Sequence, residues 1–104
     1  MIPVLLSEDF LKNVRTSAKI LDAVSHRFRK RIIDTIEDYG ALNVEALSGL
    51  LDASPAFINQ HLDVLKKARV VDYQLDGKQF FYSINYYRME KINQVIQGLA
   101  DEDY

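Results

Sequence analysis

At residue 70 the spacing of apolar side chains changes from helical to alternating, which limits the chain to a helical body followed by a β-hairpin. Upstream, four helices are predicted. Ser7 can cap the first, over residues 8–23, with Glu8 and Asp9 in the turn where the helix dipole favours acids. Phe10, Leu11, Val14, Ala18 and Leu21 follow at helical spacing. A second helix runs from Ser25 or His26 to Asp38 and stops at Tyr39-Gly40, and Asn43 caps a short third through Leu51. Ser54 and Pro55 read as cap and first residue of a fourth, to about Ala68. Downstream, Val71, Tyr73 and Leu75 alternate, as do Phe80, Tyr82 and Ile84, about an Asp76-Gly77 turn of type I′. That turn sets Leu75 opposite Lys78, Tyr73 opposite Phe80 and Val71 opposite Tyr82. A last helix spans 86–100.

The third and fourth helices carry the functional signal. Leu47, Leu50 and Leu51 face one core, a turn of Asp52, Ala53 and Ser54 follows, and Ile58, Leu62 and Leu65 face the same core. This is a helix-turn-helix, whose second helix can lie in the major groove of DNA. Its outer side is formed by Ala56, Asn59, Gln60, Asp63 and Lys67. Asn and Gln are the side chains that bond adenine N6 and N7 bidentately, so Asn59 and Gln60 near the helix start suit base readout; a plain solvent face is the competing reading. The hairpin tip, Gln74 to Gln79, resembles the wing of winged-helix proteins, with Lys78 placed to neutralise a phosphate. The expected fold class is mainly α with a β-hairpin (α+β): a winged helix-turn-helix of five helices and a two-stranded wing, one domain over 1–104.

Charge bears on this in its distribution. The net charge is −2, yet residues 26–31 carry +4 and residues 54–88 carry +2, so a basic surface on an acidic protein is allowed. There is no Cys, which excludes disulfides and thiolate metal sites. The N-terminus lacks the pattern of a secretion signal and no run is long enough to span a membrane, so no membrane partner and a cytoplasmic location are expected.

Residues 20–84 resemble the core of the ArsR/SmtB family of winged-helix regulators. The carrying segments are ILDAVSHRFRKRII and LNVEALSGLLDASPAFINQHLDVLKKARVVDYQLDGKQFFYSI. The resemblance implies a DNA site made of Ser54, Pro55, Ala56, Asn59 and Gln60, to which Lys66, Lys67, Gln74 and Lys78 are added as candidate contacts. It also implies dimerisation through the outer helices, here by Phe10, Val14 and Leu21 with Met89, Ile92, Val95, Ile96 and Leu99. The chain departs from the family where metal is bound. Asn43 and Glu45 stand at the places of a frequent Cys pair, Tyr86 and Arg88 occur where the last helix often holds Asp and His, and His26-Arg27 replaces an Asp-Pro. Asp52 occupies a turn position where Gly is usual, a backbone Asp tolerates.

Other polar residues have structural explanations. Arg29 points into the buried arc of Phe28, Ile32, Ile33 and Ile36, where pairing with a carboxylate or helix-end carbonyls is expected. Lys30 and Asp34 are spaced for an ion pair, His61 is expected as a hydrogen-bonded structural residue, and Phe57 and Val64 as packing. The function expected is a sequence-specific DNA-binding regulator, a repressor acting as a homodimer on double-stranded DNA with a two-fold operator. No cofactor, no metal site and no enzymatic role are expected, and either the inducer is a small molecule lodged near the dimer interface or there is none and the protein's own level sets occupancy. The alternative is a winged-helix interaction or assembly module that does not read sequence.

Overall fold

The computed structural model describes residues 8–101, with the side chains of residues 9, 10, 92, 95, 96 and 98–101 outside that description. The expectations for Ser7, Asp9, Phe10, Ile92, Val95, Ile96 and Leu99 therefore lie outside the described residues. In order, the elements are α1 (Glu8–Ser25), α2 (Arg27–Tyr39), α3 (Val44–Leu51), α4 (Pro55–Lys67), β1 (Val71–Asp76), β2 (Gln79–Ile84) and α5 (Tyr86–Asp101).

Local chemistry sets the helix ends. His26 caps α2, its Nδ1 accepting from the Phe28 N–H at 3.1 Å, so it fills the role an Asp would take. Asn43 Oδ1 accepts from Ala46 N–H at 2.8 Å and Ser54 Oγ from Phe57 N–H at 3.2 Å. Asp52 closes α3 in the left-handed region, φ 52° and ψ 51°. Gly40 ends α2 at φ 88° and ψ −160°, a conformation open essentially to glycine alone. At the end of α4 the Arg69 N–H bonds Lys66 O at 2.9 Å and the Val70 N–H bonds Leu65 O at 3.0 Å, with Arg69 at φ 60°. That is a Schellman motif carrying Arg where Gly is usual.

One core joins the elements: Ile32, Ile33 and Ile36 of α2 meet Leu47, Leu51, Ile58, Leu62 and Leu65 of the helix-turn-helix, with Ile20 and Ala23 of α1 and the hairpin base at Val71, Tyr82 and Ile84. Leu50, expected in this core, is 44% exposed, because α3 packs through the line of Val44, Leu47 and Leu51. In α1 the buried residues are Ser17, Ile20 and Ala23, whereas Leu11, Ala18 and Leu21 of the expected apolar stripe face outward, with both leucines 42% exposed.

The hairpin register differs from the expected one. Val71 pairs with Ile84, Tyr73 with Tyr82, Leu75 with Phe80 and Asp76 with Gln79, so the two turn residues are Gly77 and Lys78. Gly77 has φ 67° and Lys78 is not left-handed, which matches a type II′ turn with Gly first rather than type I′. The slip is two residues, and since side chains alternate with a period of two, the same residues still share a face. Backbone bonds between Leu42 and Tyr82, 3.0 and 2.8 Å, tie the hairpin base to the loop before α3.

Candidate nucleic-acid interface

The exposed side of α4 presents Ser54, Pro55, Ala56, Asn59, Gln60 and Lys67 on consecutive helical turns. Gln74 and Lys78 are exposed on the wing. Between helix and wing lies a shallow groove of about 260 Å³ walled by Asn43, Glu45, Asn59, Gln79 and Phe80, so Asn59 sits on the wing side of α4. Asn43 Nδ2 donates to Gln79 Oε1 at 2.5 Å, joining the start of α3 to the wing. Lys66 is half-buried. Its Nζ is 3.7 Å from Asp63 Oδ1 and 4.8 Å from the Tyr73 ring centre, so this lysine braces the wing against α4. Lys66–Asp63 is the ion pair formed among the described residues, and the Lys30–Asp34 pair expected on α2 is not made.

The orientation of α4 is held from beneath. Arg29 Nε donates to Ala23 O at 2.6 Å and a terminal nitrogen to Asp22 O at 3.3 Å, both at the end of α1, the helix-end carbonyl pairing expected for it. Its other terminal nitrogen reaches His61 Nδ1 at 3.4 Å. A guanidinium only donates, so His61 must keep Nδ1 unprotonated there. Burial, then His26, then Arg29 lower the His61 pKa below the ordinary imidazole value. Phe57 packs edge-on against Phe28 at 4.7 Å and against His61 at 4.6 Å, and His26 lies 4.6 Å from His61, all between ring centres. This cluster, which joins the start of α2 to α4, was not anticipated as a unit. Its signal was present in the spacing of Phe57 and His61, four residues apart on one side of α4.

A three-helix core, a tight turn between α3 and α4, and a hairpin directly after α4 define a winged helix-turn-helix protein. With further helices before and after the core, the fold is similar to that of ArsR-like regulators of known structure. It superposes on an ArsR-like transcriptional regulator from Rhodococcus sp. RHA1 with a TM-score of 0.82 at 19% identity, covering 88% of this chain and 85% of that one. The homodimeric winged helix-turn-helix DNA-binding domain Mb0332 from Mycobacterium bovis gives 0.76 at 21% identity, covering 96% and 92%. In sequence, the transcriptional repressor PagR of Bacillus anthracis is 25% identical over 87 residues, 84% of this chain and 87% of PagR. No protein-family model matches the chain. No helix among the described residues is long and apolar enough to cross a membrane.

Proposed function

We propose that this chain is a DNA-binding transcriptional regulator, a repressor that binds a two-fold operator as a homodimer and responds to no metal. The observation that carries the reading is the exposed pair Asn59 and Gln60 on a recognition helix locked by the Arg29–His61 cluster, with Lys78 free at the wing turn beside it. The likeness to the repressor PagR supports the direction of regulation, and the homodimer Mb0332 supports the assembly. On this reading Asn59 and Gln60 meet base edges, Ser54, Pro55 and Ala56 seat the helix start on the duplex, and Lys67, Gln74 and Lys78 meet the backbone. Lys66 acts mainly by holding the wing.

The test is selection of bound genomic fragments, followed by titration of the best site with variants. Asn59→Ala and Gln60→Ala should each cost about 1–3 kcal/mol on the cognate site and little on random DNA. Lys78→Ala should weaken all sequences alike and lower the salt slope by about one unit. Zinc or chelator should leave the affinity unchanged. Equal loss on all sequences for Asn59→Ala and Gln60→Ala would remove the base-reading role, and the absence of any selected fragment would favour an assembly module.

A further inference from the structure

Away from the recognition face lies a second, larger concavity of about 600 Å³ between α1 and the first half of α5. Among the described residues, its wall contains Arg69, Arg88 and Lys91 and no carboxylate, although Asp72 Oδ1 accepts from Asn85 Nδ2 of that wall at 3.5 Å. Asn13, Asn85 and Gln94 add amide groups, and Ser17, almost wholly buried, lies in its floor. The first turn of α5 opens here. Asn85 caps it, its Oδ1 accepting from Arg88 N–H at 2.9 Å, so the positive end of that helix adds to the three cations. Arg88 is steered by a 3.4 Å contact from its Nε to Ala68 O, which leaves its terminal nitrogens for other partners. Arg69 occupies the Schellman position that glycine would fill without strain, and thereby places a guanidinium on the wall.

We infer that this cavity is an effector site for a compact small-molecule anion carrying two or more acidic groups, carboxylate or phosphoryl. The inference rests on the regulator reading for its consequence but not for the site itself. Three cations, none of them within 4.0 Å of a carboxylate among the described residues, repel one another, and a polyanion relieves that repulsion, with the guanidiniums offering paired donors to each acidic group. The volume suits a metabolite-sized ligand. The location couples it to the DNA face, because Arg69 terminates the recognition helix and Asn85 follows β2, its N–H bonding Val70 O at 2.8 Å. A ligand gripping both sits where helix α4 and the wing are joined, about 20 Å from the wing tip and from the start of α4.

The purified protein is titrated by calorimetry with citrate and, separately, with pyrophosphate at constant ionic strength, and DNA affinity is measured with each at saturation. Binding of one molecule per protomer is expected for at least one probe, with a change in DNA affinity of at least fivefold; which probe binds tells carboxylate from phosphoryl. Arg88→Gln and Lys91→Gln should each weaken anion binding at least tenfold, and so should Arg69→Gly, which relaxes the backbone and should fold at least as well as the natural chain. Lys78→Gln on the wing should alter it less than twofold. No saturable binding by either probe, as when a second copy fills the cavity, overturns the site, as does equal weakening by Lys78→Gln. Anion binding that leaves DNA affinity unchanged overturns the effector role. DNA binding without anion binding removes this site alone, whereas anion binding without any DNA binding removes the regulator reading and leaves the site standing.

Discussion

His61 couples α4 to α2, and through Arg29 to α1, by a contact that exists only while its Nδ1 is unprotonated. Its pKa in the folded protein lies below the ordinary value of about 6.5, because burial and the neighbouring His26 and Arg29 disfavour a positive ring. The unfolded chain therefore binds the proton more readily. The stabilisation is complete above the unfolded pKa and is lost as pH falls from there through the lower folded value. The natural protein should lose stability between pH 7 and pH 5 more steeply than His61→Gln, measured by urea unfolding. Parallel slopes would show that the ring is not kept neutral by this cluster. The kind of partner Arg29 takes was legible from its place in an apolar arc, since a buried guanidinium must find acceptors. That His61 is a neighbour of Arg29 was not, because the two are 32 positions apart and only the crossing of α2 and α4 joins them.

At the scale of elements, helix boundaries follow from capping chemistry close to each end, and Asn43, Ser54 and Gly40 act where their types suggest. The hairpin turn is instructive because its sequence, Asp76-Gly77-Lys78, permits two neighbouring turns. The pair Asp76-Gly77 suits type I′ and Gly77-Lys78 suits type II′. The observed register brings Ile84 opposite Val71, so that both join the core beside Tyr82, whereas the alternative leaves Ile84 beyond the last pair. Gly77→Ala should cost about 1 kcal/mol, because an L-residue at φ 67° is strained, and Asp76→Ala should cost less than half of that. Chemical denaturation of the two variants checks the order, and a larger loss for Asp76→Ala would favour the type I′ register.

The whole molecule is elongated. Its principal extents are 54 × 27 × 20 Å and its radius of gyration is 16.1 Å, against about 13 Å for a compact chain of this size. The excess comes with outer helices that leave apolar surface uncovered. Leu11, Ala18 and Leu21 lie outward on α1 with Val14 half-buried among them, and Tyr86 and Tyr87 are exposed at the start of α5. In the homodimer proposed above, a second copy covers this surface. Leu21→Lys is then expected to give a folded monomer with weakened operator binding, read by sedimentation and circular dichroism together, because the site is solvent-exposed within one protomer. A wild-type protein that sediments as a monomer at micromolar concentration would end the dimer reading. With two-fold symmetry the recognition helices should stand about 34 Å apart, one turn of DNA.

Periodicity and caps act over a few residues, which is why the order of elements, the helix-turn-helix and the outward face of Asn59 and Gln60 could be read from sequence alone. An α-helix shows its polar side wherever it is placed. Which of two apolar faces of α1 turns inward is a different matter, since Ile20 and Leu21 are equally apolar and only the partners available in the fold choose between them. The same holds for the cation-lined cavity. Arg88 and Lys91 are one helical turn apart and share a side of α5, but Arg69 lies across the whole hairpin from them, and nothing local marks it as their neighbour. Their convergence was decided by the tertiary structure, because the hairpin returns α5 to the end of α4 and carries three like charges to one wall.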